Sequence, residues 1–303
     1  METSTATPGL DRARAIVHRA HAVSPSPSLL RVEAQLRQGD ATARQLARLI
    51  EGSPALAARV LRMANSAFYA PAEPVVSLSR AVAILGDTVL RQLVLTSLIV
   101  SRRASSRTPR QALAAARLTG DAVRAAVVAR TLAAASRRAD ADEAFAGGLL
   151  HDLGHVYLLD EVGELYASHL LEARRADQSA DAQLAVEREL SGTTHQEVGA
   201  VFAYDWNLPP VIAQVMWDHH ASEPGSLAAL VATTDRLVAE LAAPALVALG
   251  DDPGAAAALA ARTEAVEAGL AGLGLDRARW ADELATVRER TTELLTLFDA
   301  EAA

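Results

Sequence analysis

The chain has 303 residues, half of them hydrophobic but only 4% aromatic, enough for one large helical domain or two small ones. Its formal net charge is −8 with acidic and basic residues interspersed, so it lacks the basic face that counterion-release binding to DNA or RNA needs. There is no cysteine and all 29 basic residues are Arg. Disulfides, thiolate metal sites, a Cys nucleophile and a Lys catalyst are thereby excluded, and any metal has to be held by His and carboxylate.

Ala and Leu dominate, which predicts an all-α protein. Residues 1–23 read as a partly disordered N-terminal segment that lacks the charged start and apolar core of a signal peptide. "SPSPS" at 24–28 breaks the chain before the first long periodic region. In "ATARQLARLIEGSPALAARVLRMANSAF" the positions Leu46, Leu49, Ile50, then Leu56, Val60 and Leu61 recur at helical spacing around "EGSP", which predicts two short helices. Ser77 is a candidate N-cap for the next helix, Gly86 its end and Asp87 a restart. Within this half, Asn65 and Ser66 read either as a helix-end cap or as part of a partner surface.

The polar run "SRRASSRTPRQ" separates residues 24–104 from a second half, 105–250, and a final pair of helices follows "DDPG" over 251–298. No window alternates as a strand would, and no repeat has a solenoid period. No run approaches the roughly 20 apolar residues of a membrane span, so the expectation is a soluble cytoplasmic protein.

Ionisable side chains on apolar helix stripes carry the chemistry, because burying one without a partner costs several kcal/mol. In "AFAGGLLHDLGHVYLL", His151 and Asp152 stand in what reads as one apolar helix, with His155 one turn after His151; taken alone, His155 reads as an edge residue. His219 and His220 extend the apolar faces of "PPVIAQVMWDHH", and Asp235 lies on the stripe of Leu227, Leu230, Val231, Val238 and Leu241. His195 shares a face with Val198 and Phe202, and its neighbours Thr194 and Glu197 have capping-box spacing. Asp121 shares a face with Leu118, Ala125, Val128 and Leu132, and could cap a helix restarted after Gly120. Singly, each position reads as well as a hydrogen-bonded core residue or, for Asp235, a salt-bridge partner of an Arg. Together they form the nitrogen and oxygen donor set that zinc, iron, manganese or nickel accepts.

The pieces "LARLIEGSPALAARVLRMANSAFY", "SLSRAVAILG", "AGGLLHDLGHVYLL", "HQEVGAVFAYDWNLP" and the His219-His220 pair occur in an order that resembles the HDOD domain, a subgroup of the HD superfamily of helical phosphohydrolases. The resemblance covers about residues 24–298 and implies a multi-helix HD-superfamily bundle with an N-terminal helical subdomain. It matches His151 and Asp152 to the metal-holding pair, Asp235 to the distal Asp, and His195, His219 and His220 to further histidines of binuclear relatives that hydrolyse cyclic di-GMP. It also exposes departures: Asp121 stands where the first metal-binding His is expected, His155 where those relatives have Lys, and "ASEPGS" where they have a GYP signature.

Carboxylate can replace imidazole as a ligand, but a lost Lys and a lost GYP loop remove substrate positioning, a large share of catalysis. The resemblance therefore implies a non-catalytic signalling module acting through protein contacts. In it the seven residues Asp121, His151, Asp152, His195, His219, His220 and Asp235 are a vestigial or conditional divalent-metal site, and His151 and Asp152 mainly hold helices together. Two alternatives remain open: a metal-dependent phosphohydrolase, and a receptor that binds a cyclic dinucleotide without cleaving it. Expected partners are separate signalling proteins or a second copy of the chain. Convergence of the seven side chains would favour a metal, and an Arg paired with Asp152 would favour a structural role.

Overall fold

The computed structural model describes residues 8–21, 27–51, 54–66, 69–101, 108–175, 179–205, 208–220, 223–242 and 253–299, and among them the regular structure is helical throughout. The helices in chain order are α1 (Pro8–His21), α2 (Pro27–Gln38), α3 (Ala43–Ile50), α4 (Pro54–Ala64), α5 (Leu78–Ser101), α6 (Pro109–Ser136), α7 (Ala141–Leu150) and α8 (Leu153–Val162). They continue as α9 (Glu164–Arg175), α10 (Ala180–Ser191), α11 (His195–Asp205), α12 (Pro210–Asp218), α13 (Leu227–Ala242), α14 (Pro253–Gly272) and α15 (Arg277–Asp299). No helix among the described residues is long and apolar enough to cross a membrane. The "SPSPS" and "DDPG" breaks lie mostly outside the described residues.

Local chemistry sets the helix ends. Thr42 and Gln45 close a capping box at the start of α3, and Thr108 and Gln111 do the same for α6, whose Pro109 needs no amide partner in the first turn. Gly86 takes φ 69° and ψ 169° and kinks α5 at the stop read from the sequence. Asn65 caps α4 as read, but it also reaches across the chain. Its amide donates to Leu61 O at 2.8 Å and Val75 O at 2.7 Å, and its Oδ1 accepts Val75 N–H at 2.6 Å, which ties the extended segment before α5 to the helix.

Helices α2 to α5 pack on one another as the N-terminal bundle, and α6, α7, α8, α9, α11, α12 and α13 form the second. The bundles meet where α5 touches α7 and where α15 lies on both α4 and α6. One apolar cluster runs through both, from Ile16 and Leu46 to Leu132, Phe202 and Leu294, so the two halves share a core.

Within residues 1–23, read as a partly disordered segment ahead of the domain, residues 8–21 form α1. Ala13, Ile16 and Val17 of α1 are buried, and the helix packs on α11 and α8 of the second half. Arg12 donates from Nε to Ser191 O at 2.9 Å and pairs with Glu161 at 2.9 Å. Only residues 1–7, 22 and 23 of that segment lie outside the described residues.

Small residues let α6 and α7 approach closely. A Cβ at Gly148 would lie 2.5 Å from Ala125 O, a rigid backbone atom. Gly148→Ala must push α7 off α6, and overpacking of this kind costs about 1–3 kcal/mol. A calorimetric melting temperature several degrees below that of the parent chain is expected; an unchanged one would mean that the two helices are not tightly apposed.

Candidate metal centre

The His-Asp pair does not sit inside one helix as expected. His151 ends α7, its N–H donating to Gly147 O, and Asp152 starts α8 with φ −97° and ψ 12°, the sparsely populated bridge region in which many active-site residues are found. The break turns both side chains into the space between α7, α8, α11, α12 and α13. Gly154, next in α8, makes room for this: a Cβ there would stand 1.9 Å from His195 O, so α8 and the start of α11 touch backbone to backbone.

On the other side, Gly192 ends α10 with φ 78° and Thr194 begins α11. The predicted capping box forms: Thr194 Oγ1 accepts Glu197 N–H at 3.2 Å, and Glu197 accepts Thr194 N–H at 3.0 Å. His195 is thereby fixed at the helix start, fully buried.

Six of the seven expected residues converge, and His155 joins them. Asp152 is central. Its carboxylate oxygens lie 3.3 Å from His151 Nε2, 3.4 Å from His219 Nε2, and 3.8 Å from both His155 Nε2 and His195 Nε2. His195 Nε2 is 3.3 Å from His219 Nε2 and 3.1 Å from His220 Nε2, and Asp235 Oδ1 is 3.9 Å from His151 Nε2. Three overlapping sets, His195-His219-His220, Asp152-His155-His195 and His151-Asp152-Asp235, each have ligand atoms within 4.8 Å of one another. A tetrahedral ion with bonds of about 2.0–2.1 Å separates its ligand atoms by roughly 3.3 Å, and most of these spacings are close to that. Asp152 pairs with no Arg among the contacts of the described residues.

The other ring nitrogens explain the convergence. Nδ1 of His151 lies 2.8 Å from Gly148 O, and Nδ1 of His219 lies 3.1 Å from Val215 O, so each is the donor. Nδ1 of His195 lies 2.9 Å from both oxygens of Glu187, which also accepts His195 N–H at 2.8 Å. Tyr166 donates its hydroxyl to Glu187 at 3.1 Å, leaving the phenol oxygen to accept His155 Nδ1–H at 2.6 Å. Four rings thus have their Nδ1 committed and turn Nε2 inward, the orientation that metal-binding histidines take when a carbonyl or carboxylate holds the other nitrogen. His151 Nε2 is buried without a hydrogen bond of good geometry, and His195 Nε2 faces Nε2 of both His219 and His220 within hydrogen-bond reach.

Electrostatics follows the same lines. Burial opposes charge on His151, but the Asp152 carboxylate and then Asp235 hold it well above the usual imidazole range. Burial works against the Asp152 charge, and His151 and His155 outweigh it and hold Asp152 well below the carboxylate range. Asp235 is also lowered: burial opposes its charge, and His151 overcomes that. His195 is raised, its burial overcome by Glu187, whose own carboxyl is drawn down to about 2 by His195. Burial and the neighbouring imidazoles push His155 to about 4 and His220 to about 3, and burial lowers His219.

Asp121 is the exception among the expected residues. Helix α6 runs through Gly120 and Asp121 without a restart, and the buried Asp121 carboxylate accepts from Arg124 Nη1 at 2.9 Å, one turn away on the same helix. It belongs to none of the three ligand sets. His155 departs in the opposite direction: it is no edge residue but 5% exposed, with its ring stacked on His195 at 4.0 Å. Glu187 and Tyr166 escaped the sequence reading altogether. Glu187 lies two turns before His195 in a polar helix, and only its complete burial reveals its role.

The sequence model of the HDOD domain matches residues 23–222. Among solved structures, an HDOD domain protein with unknown function from Geobacter sulfurreducens is 23% identical, covering 95% of this chain and 98% of that one at a TM-score of 0.62. A "Putative phosphohydrolase" from Shewanella amazonensis SB2B is 24% identical over 93% and 97% of the two chains, also at 0.62. A "Putative signal transduction protein" from Marinobacter aquaeolei VT8 is 20% identical over 98% of this chain and 68% of that one, at 0.60. These likenesses show the fold, and no functionally curated protein matches the chain. The match over two thirds of the sequence, on an all-helical HD-type bundle, establishes that the chain belongs to the HDOD domain family.

Proposed function

We propose that the chain is a signal-transduction module whose His/Asp centre holds a divalent cation without turning over a phosphoester, and whose output is contact with other signalling proteins. The observation that carries this reading is the state of His155. It occupies the position where hydrolytic relatives place the Lys that meets substrate, yet its ring lies under His195 and its Nδ1 is bound to Tyr166. The position thus offers no lysine ammonium to steady a phosphoryl oxygen, and positioning of that kind supplies much of the rate of such reactions. Asp121 is likewise diverted to Arg124.

The donor set fits zinc, iron, manganese or nickel. His151, Asp152 and Asp235 would hold an ion on one side, and His195, His219 and His220 on the other, with Asp152 between them. A bound cation supplies Lewis acidity and neutralises the facing carboxylates. The residues of the chain orient and insulate it: Glu187 fixes the tautomer of His195, and Gly154 seats α8 on α11. Because His151 ends α7, and α7 touches α5, a change at the centre bears on the N-terminal bundle through one rigid helix.

Hydrolysis is the second reading. It is favoured by the intact His151-Asp152-Asp235 set and by the name of the Shewanella structure. Metal analysis of the purified protein, followed by assays on cyclic di-GMP and nucleotides with zinc, manganese or iron, separates the two. Bound metal with no turnover is expected, with the metal lost in Asp152→Ala. Turnover by the parent chain that disappears in Asp152→Ala would overturn the non-catalytic reading, and calorimetric binding of cyclic di-GMP without cleavage would replace protein output by messenger reception.

The pH dependence has a definite sign. In the metal-free protein the Glu187 carboxyl lies near 2 against an unperturbed 4.5, so its stabilisation is present above pH 4.5 and lost as the pH falls towards 2. That loss is on the order of 3 kcal/mol. Glu187→Gln removes this arm of the stability profile, measurable by urea unfolding between pH 5 and pH 3. It is also expected to weaken metal binding by about 10–100-fold, the usual effect of removing a partner of a ligating His. Metal affinity in the parent chain rises with pH, because the proton on His151 must leave before its Nε2 can ligate.

A further inference from the structure

We propose that His155 is itself a metal ligand, and that with His195, His219, His220 and Asp152 it makes one imidazole-rich pole that loads a cation before the opposite, carboxylate-rich pole does. The inference rests on the reading that the centre binds a metal. It adds a residue that stands where binuclear relatives have Lys, and it gives the two sides of the site different affinities.

Three observations support it. First, His155 is prepared as the other ligands are: Nδ1–H goes to the Tyr166 oxygen, Tyr166 O–H goes to Glu187, and Glu187 also holds His195 Nδ1–H. One buried carboxylate thus engages the Nδ1 side of two rings, directly for His195 and through Tyr166 for His155, and turns both Nε2 atoms towards the centre. Second, those nitrogens are close enough. His155, His195 and Asp152 present ligand atoms within 4.8 Å of one another, and Asp152 Oδ1 is 3.8 Å from Nε2 of each ring. The two rings stack at 4.0 Å with 22° between their planes, so their edges face the same space. Among the described residues, His155 Nε2 approaches the Asp152 carboxylate at 3.8 Å, longer than a hydrogen bond, so that approach leaves the nitrogen available to a cation between them.

Third, the poles are unequal. The side of His151 and Asp235 lacks a contribution from Asp121, which is bound to Arg124, and Asp235 is the most exposed carboxylate of the centre, with 39% of its side chain accessible. The side of His195 gathers four imidazoles and one shared carboxylate, with His155, His195 and His219 buried. Neutral imidazoles suit borderline cations such as zinc, cobalt and nickel better than magnesium or calcium. The expected order is therefore one tight cobalt or zinc ion at the imidazole pole, then a weaker second.

Cobalt(II) added to metal-stripped full-length chain tests this through calorimetry and the visible ligand-field spectrum, neither of which depends on turnover. A tight first step and a weaker second step are expected. His155→Phe, which keeps the ring volume, should weaken the first step at least about tenfold and change its spectrum, whereas Asp235→Asn should weaken only the second. The parent chain alone gives a check that needs no substitution: with one equivalent of cobalt, contact-shifted N–H proton resonances should include that of His155 Nδ1–H, identified by its loss in Tyr166→Phe. No cobalt uptake by the parent chain would overturn the metal reading itself and this assignment with it. Uptake with the same affinity and spectrum in a folded His155→Phe, or an unshifted His155 N–H, would overturn the assignment alone.

Discussion

The centre depends on one constraint: an imidazole has two nitrogens, and four of the rings here have one of them fixed from outside. Gly148 O, Val215 O, the Tyr166 oxygen and Glu187 each take an Nδ1–H, so the remaining nitrogens point into the space around Asp152 and one another. Without these acceptors the rings would turn to satisfy themselves, and the facing nitrogens would separate. Glu187 matters most, since it is fully buried and governs His195 directly and His155 through Tyr166. A carboxylate so deep is tolerated because three donors and a neighbouring imidazole compensate its desolvation.

The fold is arranged to hold that carboxylate and its targets in place. Residues Glu187 to His195 form the end of α10, a left-handed Gly192 and the start of α11. Ser191 Oγ bonds within the turn, and Arg12 of α1 clamps Ser191 O from outside. Glycine at 154 lets α8 lie against the His195 carbonyl, bringing Asp152 within reach of the α11 and α12 rings. The first helix thus braces the centre although α2 to α6 lie between them in sequence.

Much of this was legible in the sequence, and the failures have physical causes. Helical periodicity and capping signals located α3, α4, the Gly86 kink and the Thr194-Glu197 box, because those features depend on neighbours within one turn. Inward-facing His and Asp residues were visible as polar interruptions of apolar stripes. The His151-Asp152 break was not, since Leu149, Leu150 and Leu153 keep a helical rhythm across it. Asp121 was placed with the metal ligands because it occupies an inward face, but Arg124 is three residues away on the same helix and takes it locally. Glu187 and Tyr166 lie in stretches whose pattern looks like solvated helix, and α1 looked detachable because its amphipathic face is short; only tertiary contact gives these their roles.

Binding and turnover separate naturally in such a centre. Holding a cation needs donors of the right kind at the right spacing, and rigid acceptors behind the rings provide that whatever happens at the rim. Turnover additionally needs groups at the rim that grip a phosphoryl oxygen as charge develops on it. Here His155, which the resemblance sets at the Lys position, lies inward in the ring stack with His195. On the proposed reading, the same inward turn that would remove a substrate contact would add a nitrogen to the metal pocket, so that reduced catalytic reach and a further metal ligand would both follow from His155 at this position.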